Sequence, residues 1–180
     1  MTTKQISIET IAANSSKAMD RIQESIFKTP LLPSMRYGSK LMFKAENFQE
    51  TGSFKIRGAL SKLTALAKEE NLDEVKFITA SSGNHGIACS KASSILGASL
   101  TVVLPKTVAK IKLERIKGFG VQVLIEGDES GQAELYAQKL SKEKGYFYIS
   151  PYNDLDVIAG QGTIGLELIE QMKNQSIDNL

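Results

Sequence analysis

Two short segments of this chain combine residue types that could do chemistry. Residues 53–59 read SFKIRGA and carry Lys55, while residues 81–86 read SSGNHG and combine hydroxyls, an amide and an imidazole with two glycines. A lysine amine can form a Schiff base with an aldehyde. A polar, glycine-containing loop at a helix start can hold a small anion with its hydroxyls and backbone N–H groups. Together the segments indicate a site for a carbonyl group and an anionic ligand.

Lys55 is the candidate nucleophile because of the position predicted for it. Ser53 follows a break at Thr51-Gly52 and is predicted to cap a helix running to about Glu70, which puts Lys55 in the first turn. The unpaired N–H groups and the dipole of that turn disfavour a second positive charge, so a desolvated lysine there loses its proton more readily. The alternative interpretation is an ordinary solvated lysine.

The rest of the chain predicts the elements that position these two segments. An amphipathic first helix runs from Ile8 to Ile26, and Thr29-Pro30 ends it before a turn through residues 31–33. Strands are predicted over 40–44, 77–80, 100–104, 121–125 and 146–149, and later helices over 53–70, 86–97, 108–117, 130–144 and 159–173. This alternation predicts an α/β fold with right-handed crossovers and doubly wound, mostly parallel sheets.

The carboxyl ends of parallel strands and the amino ends of the following helices meet at one edge of such a sheet. Lys55 and the 81–86 loop are both predicted at that edge, one crossover apart. Residues distant in sequence can therefore converge there on one ligand.

Composition describes an ordinary globular protein and narrows the kinds of partner. Of the 180 residues, 42% are hydrophobic and 23% are charged, and the net charge of +2 comes from interspersed lysines and glutamates rather than a basic face. We therefore expect no nucleic acid and no membrane partner. Cys89 is the only cysteine, which excludes a disulfide within the chain and makes a reduced cytoplasmic compartment the default prediction.

Several ordered motifs resemble one enzyme family. Residues 51–59 (TGSFKIRGA) resemble the cofactor-lysine motif of the fold-type II pyridoxal-phosphate enzymes, the tryptophan-synthase-β-like group. Within that group the chain looks like serine racemase and the serine/threonine dehydratases. The supporting motifs are 29–31 (TPL), 46–49 (ENFQ), 81–86 (SSGNHG), 104–105 (LP) and 159–164 (AGQGTI).

The resemblance implies a role for each residue of the two segments. Lys55 is implied as the lysine that binds pyridoxal 5'-phosphate covalently and carries the proton on one face of Cα. Phe54 would lie against the pyridine ring, with core packing as the alternative, and Asn84 would hydrogen-bond the cofactor's 3-hydroxyl. The residues around the carboxylate of a small amino-acid substrate would be Ser81, Ser82, Asn84 and His85.

The residue type at position 82 distinguishes the activities within the family that this chain resembles. Typical threonine dehydratases carry alanine at this position, whereas serine racemases and 3-hydroxyaspartate dehydratases carry serine. Racemisation needs a proton donor on the face opposite Lys55, and the Ser82 hydroxyl could serve if its setting activates it. The alternative is that Ser82 only caps the helix or binds the carboxylate.

Two other features are weaker indications of function. His85 is the only histidine, which disfavours a histidine-based metal site or a Ser–His triad and favours a role in shaping the carboxylate pocket. Residues 160–165 (GQGTIG) match the pattern GxGxxG, but they do not directly follow a strand. We interpret these glycines as allowing close backbone approach beside the cofactor crevice rather than binding a dinucleotide.

The resemblance also predicts how the chain is divided. Residues 52–145 would form a small α/β domain, and residues 1–51 and 146–180 the amino-terminal part of a large cofactor-binding domain. In this family a glycine-rich phosphate loop and the ligands of a divalent cation, such as Mg²⁺, would lie beyond Leu180. The expectation is the amino-terminal portion of a longer enzyme that forms a homodimer.

The predicted activity is conversion of L-serine to D-serine, with serine dehydratase as a side activity. A threonine or threo-3-hydroxyaspartate dehydratase is the alternative within the enzyme class. A catalytically inactive fragment of such an enzyme is the alternative from another class.

Overall fold

The structure is a computed structural model that describes residues 6–172, and strands and helices alternate along it as the sequence predicts. The helices are α1 Ile8–Ile22, α2 Lys55–Leu66, α3 Asn84–Leu96, α4 Lys110–Lys117, α5 Ser130–Lys144 and α6 Leu155–Met172. The strands are β1 Leu31–Ser34, β2 Gly38–Lys44, β3 Lys76–Ala80, β4 Ser99–Leu104, β5 Gln122–Ile125 and β6 Phe147–Tyr148. Single-turn 3₁₀ helices occupy Gln23–Ser25 and Glu46–Phe48. The predicted α/β class is confirmed, and residue 173 of the last predicted helix lies outside the described residues.

Four parallel strands form the sheet that carries the predicted ligand edge. Their order is β5–β4–β3–β6, so the chain winds outward from β3 and then returns to the other side of β3. The return strand aligns Phe147 with Phe77 and Tyr148 with Ile78. Because the winding direction reverses beside β3, a crevice opens between the carboxyl ends of β3 and β6.

Helices cover both faces of this sheet, as a doubly wound fold requires. On one face Phe77 and Val102 join a large buried cluster that includes apolar residues of α2 and α3. On the other face Ile78 packs with Ala133 and Ala137 of α5. Successive residues of β3 therefore point into different cores, which explains why that strand reads as a continuous apolar run.

The segment after the first helix forms a strand, so the prediction of a turn through residues 31–33 was wrong. β1 pairs antiparallel with β2, with Leu32 opposite Phe43, and the register shifts between Pro33 and Ser34. Proline is tolerated on an edge strand because its missing N–H is not needed by a further neighbour. The prolines at this segment therefore mark an edge and a bulge rather than a turn.

The start of α2 also differs from the prediction, because Ser53 is not its cap. Phe54 occupies the cap position with helical backbone angles and makes no capping bond with its side chain. The Ser53 hydroxyl is buried without a hydrogen-bond partner among residues 6–172. The helix ends at Leu66 rather than near Glu70, and the N–H groups of Lys68 and Glu69 bond to carbonyls three residues back instead of four. Lys55 nevertheless lies in the first turn.

The GxGxxG segment lies inside α6, away from any strand-to-helix turn. A Cβ on Gly160 would overlap the backbone of Arg57 in α2, and a Cβ on Gly162 would overlap the Ser15 side chain in α1. These glycines let three helices approach closely, as the sequence analysis proposed. Their position inside a helix gives no support to a dinucleotide site.

Candidate active site

A cavity of about 300 Å³ occupies the crevice between the carboxyl ends of β3 and β6. The chain brings together there residues from four separate parts of the sequence. Its lining consists of Lys55, Ala80, Ser81, Ser82, Gly83, Asn84, His85, Ser130, Glu134, Pro151 and Tyr152. Lys55 and the 81–85 loop line one cavity, as predicted. The predicted reason was wrong for Lys55, because β2, the strand before it, pairs antiparallel with β1 in a separate sheet and is not a strand of the parallel sheet.

The Lys55 amine lies at the wall of this cavity near two aromatic rings. Its Nζ donates a hydrogen bond to the carbonyl oxygen of Pro151 at 3.2 Å. The Nζ atom is 5.3 Å from the centroid of the Phe54 ring and 5.9 Å from that of Tyr152, distances at which an ammonium group interacts with ring faces. No carboxylate within residues 6–172 forms a salt bridge with Lys55, so a single neutral acceptor holds the amine.

Phe54 lies next to this amine with 38% of its surface exposed. That exposure argues against the alternative in which Phe54 is a core residue. A planar aromatic face beside the amine instead offers apolar contact to a ligand attached there.

The second wall of the cavity is the beginning of α3. Gly83 is the cap residue of this helix and contributes no side chain, so Ser82 does not act as the cap. The Ser81 hydroxyl accepts a hydrogen bond from the Gly83 N–H at 3.2 Å, which fixes the loop before the helix. The first N–H groups of any helix lack intrahelical acceptors, so this wall can receive an anion.

A glycine at position 86 allows the Ser81–Gly83 loop to fold back on α3. A Cβ there would overlap the backbone carbonyl of Ser81. We expect Gly86→Ala to lower the free energy of unfolding by about 1–3 kcal/mol, the usual cost of overpacking, because a backbone group must move. Urea unfolding would measure the loss.

Gly165→Ala is the matched control, since this exposed glycine in α6 has no atom within 4 Å of a new Cβ. Its substitution should change stability by about 1 kcal/mol or less, and in the stabilising direction. Equal losses in the two variants would contradict the close-contact explanation for Gly86.

His85 is buried behind the loop and is held as a neutral imidazole. Its Nε2 lies 3.3 Å from the carbonyl oxygen of Ile149, which assigns the proton to that nitrogen. The Cys89 sulfur lies 3.4 Å from the same nitrogen, and burial raises the pKa of this thiol. The pKa of His85 is lowered from 6.5 to about 4, chiefly by burial and to a smaller extent by the positive charge of Lys55, against the opposing hydrogen bond to Ile149.

The lowered pKa of His85 makes folding stability depend on pH. The unfolded chain binds a proton on this residue below pH 6.5, whereas the folded chain does so only near pH 4. The stabilisation of the folded state, about 3 kcal/mol, is therefore complete above pH 6.5 and is lost as the pH falls towards 4. Unfolding free energies across this range should fall less steeply for His85→Gln than for the unaltered protein.

Nuclear magnetic resonance gives an independent check, because the sequence holds a single histidine. Its ring signal should titrate near pH 4 in the folded protein. A midpoint near 6.5 in the folded state would contradict the buried neutral imidazole.

Ser82 and Asn84 line the cavity without hydrogen bonds from their side chains to any group of the described chain. Their polar atoms are therefore free to meet a ligand. Both side chains can reach a ligand in the cavity, and the roles predicted for them stay predictions.

The third wall was missed by the sequence analysis as part of the site. Ser130 and Glu134, one turn apart on α5, face the cavity together with Pro151 and Tyr152 from the loop after β6. Glu134 is held in place by the Tyr148 hydroxyl, which donates to its Oε1 at 3.1 Å. Burial raises the pKa of that phenol, and the carboxylate adds to the shift.

The residues present suit a phosphorylated aldehyde that condenses with Lys55. Among the described residues the amine has a neutral carbonyl as its one hydrogen-bond acceptor, and two aromatic rings lie within 6 Å of it. The start of α3, with unengaged polar side chains, lines the same cavity. Residues 6–172 contain no group of three or more histidine, cysteine or acidic side chains that could hold a metal ion.

Comparison with known proteins agrees with this site. Residues 22–180 match the family model described as pyridoxal-phosphate dependent enzyme. The chain is 37% identical to the catabolic L-threonine dehydratase of Staphylococcus aureus (strain USA300) over 97% of its own length and 52% of that protein. It therefore spans about half the length of the curated relatives it matches.

Solved structures of two kinds of racemase are similar to the chain. A pyridoxal 5'-phosphate-dependent aspartate racemase is 40% identical with a TM-score of 0.82, over 91% of this chain and 52% of that one. The serine racemase of Dictyostelium discoideum is 38% identical with a TM-score of 0.77, over 93% and 54%. Maize serine racemase is 32% identical with a TM-score of 0.80, over 90% and 50%.

Proposed function

This chain belongs to the family of pyridoxal-phosphate dependent enzymes. We propose that it is part of a serine racemase that also has serine dehydratase activity. The observation that carries the proposal is the shared cavity of Lys55 and the hydroxyl-rich loop that includes Ser82. Similarity to serine racemases and to a threonine dehydratase supports the general class of reaction.

The proposed mechanism starts with the cofactor lysine. When bound, pyridoxal phosphate supplies an electron sink that stabilises the charge left at Cα after a proton is removed. Lys55 would hold the cofactor and, once its amine is released, take the Cα proton on its own face. Phe54 and Tyr152 flank the amine and would limit the access of water to it.

The substrate carboxylate would be oriented by the start of α3. Backbone N–H groups and the hydroxyls of Ser81 and Ser82 line that wall of the cavity. A carboxylate fixed there would hold Cα between the Lys55 amine and the opposite wall. His85 would support the loop from behind, because as a neutral imidazole it can bond Ile149 without adding charge to the pocket.

Ser82 decides between the racemase and the dehydratase proposals. A hydroxyl opposite Lys55 would return a proton to the other face of Cα and give the D enantiomer. Loss of the β-hydroxyl instead gives pyruvate and ammonia from serine. Similarity to a threonine dehydratase favours the alternative in which threonine or threo-3-hydroxyaspartate is the substrate and elimination is the main reaction.

The test uses the purified protein at its natural length with added pyridoxal phosphate. Chiral chromatography would follow D-serine formed from L-serine, and a keto-acid assay would follow elimination from L-serine, L-threonine and threo-3-hydroxyaspartate. We expect both D-serine and pyruvate from L-serine. Keto acid from L-threonine without any D-serine from L-serine would replace the racemase proposal with the dehydratase alternative.

Four further predictions about the protein remain proposals. These are the division into residues 52–145 and the flanking parts of a large domain, the homodimer, the cytoplasmic location, and Mg²⁺ bound through other residues. None of the helices within residues 6–172 is long and apolar enough to cross a membrane. Size-exclusion chromatography with light scattering would test the dimer, and activity after chelation would test the metal.

A further inference from the structure

The first turn of α2 carries Lys55 but lacks the usual local support for a helix start. No side chain caps it, and the hydroxyl of Ser53 is buried without a partner among the described residues. A missing cap lowers helix or protein stability by a measurable amount and lets the first turn fray. Something other than local capping must therefore fix the position of Lys55.

Arg57, two residues after Lys55, supplies long-range bonds at this turn. Its side chain is completely buried. Its Nε and Nη2 donate to the two carboxylate oxygens of Glu46, each at 2.8 Å, which is a bidentate pair. Its Nη1 donates to Glu167 in α6 at 2.7 Å and to Thr163 at 3.1 Å. One side chain thus ties the first turn of α2 to two distant segments.

A second cation completes the charge balance of this cluster. Lys44 at the end of β2 donates to Glu167 and also to the carbonyl oxygen of Thr29 at 2.6 Å. Two cationic and two anionic side chains therefore face one another in the interior. Although burial alone would raise the pKa of Glu46, its bonds to Arg57 and Thr29 lower it below the usual range.

The other end of the same helix face is tied to the loop that holds the Lys55 amine. Lys62 forms salt bridges with Asp154 at 2.9 Å and Asp156 at 3.2 Å. Asp154 in turn accepts backbone N–H bonds at the start of α6, three residues after Pro151. Gly58 meanwhile allows side chains of α6 to approach the α2 backbone closely.

We propose that Arg57 is a positioning residue, and that its fork to Glu46 and Glu167 anchors the uncapped first turn of α2 and fixes Lys55 in the orientation that attaches the cofactor. The inference rests on the proposed role of Lys55 and adds a residue that does not itself line the cavity. Lysine cannot substitute for arginine here, because one ammonium group cannot make the bidentate bond to Glu46 while also reaching Glu167.

Arg57→Lys tests this proposal in the protein at its natural length, since it keeps the charge but removes the fork. We expect the attachment of added pyridoxal phosphate, followed by its absorbance without any substrate, to slow at least tenfold. Backbone amides of residues 53–58 should exchange hydrogen at least tenfold faster in the cofactor-free protein. Turnover should fall by about a hundredfold with little change in KM, because displacement by roughly 1 Å has effects of that size.

Leu63→Ala is the matched control for lost stability. Leu63 is fully buried on the same helix and belongs to the apolar cluster, so its truncation lowers the melting temperature without touching the fork. If Leu63→Ala slows cofactor attachment as much as Arg57→Lys at a similar melting temperature, the positioning role is overturned. Unchanged attachment and exchange in Arg57→Lys would overturn it as well.

Glu46→Gln keeps the proposal testable if Arg57→Lys does not fold. The amide retains one acceptor for Arg57 and removes one charge, so attachment should slow by about threefold to tenfold. An unaltered rate would overturn the proposal. Because attachment is measured with the cofactor alone, a wrong substrate assignment leaves this test intact.

Discussion

Replacing Lys55 with alanine should abolish both D-serine formation and elimination, with a loss of at least about three orders of magnitude in turnover. The reason is that one side chain would attach the cofactor and exchange the proton at Cα. Within residues 6–172 the amine has one hydrogen-bond acceptor, a neutral carbonyl, and two aromatic rings lie within 6 Å of it. Among the same residues, no other lysine lines the cavity.

Borohydride reduction followed by peptide mass mapping gives a direct measurement. The reduced cofactor should be found on the peptide that contains Lys55 in the unaltered protein and on no peptide of the variant. Lys68→Ala is the matched control, because this exposed lysine follows the end of the same helix. Undiminished turnover of L-serine by Lys55→Ala would show that another residue holds the cofactor.

The parts of this site that could be predicted from sequence are those set by local patterns. The predicted bounds of α5, Ser130 and Lys144, agree with the structure, and the alternation of strands and helices implied the parallel sheet. Because the 81–86 loop follows a strand of the parallel sheet, the sequence could assign it to the ligand edge. Lys55 lines the same cavity although β2, the strand before it, belongs to the separate antiparallel pair, so the edge rule does not account for its position.

The parts that were missed depend on contacts between distant segments. Glu134 and Tyr152 reach the cavity because β6 pairs with β3 across about 70 residues, and no local pattern specifies that pairing. The contacts of Arg57 could not be predicted either, because nothing in the local sequence SFKIRGA indicates that its side chain bonds to Glu46 and Glu167. Ser53 is not the cap because the helical backbone angles begin at Phe54, and the Ser53 hydroxyl is buried without a partner among residues 6–172.

Ser82→Ala should separate the two proposed reactions, unlike the lysine variant, which stops both. The Ser82 hydroxyl lines the cavity and makes no hydrogen bond to another described residue, so it is free to act on a ligand. If it returns the proton to the face opposite Lys55, conversion of L-serine to D-serine should fall by about two orders of magnitude or more. Ser94→Ala, at an exposed serine of α3, the helix that follows the Ser82 loop, should leave both reactions unchanged.

Elimination provides the contrast that assigns the role of Ser82. From L-serine it needs only Lys55 on its own face of Cα, so it should persist in Ser82→Ala and become the main reaction. From D-serine, whose Cα proton would face Ser82, it should fall together with racemisation. If the hydroxyl only binds the carboxylate, all of these rates should instead fall in similar proportion, chiefly through KM. A proportional fall would contradict the proton-donor role and, with it, the basis for preferring a racemase over a dehydratase.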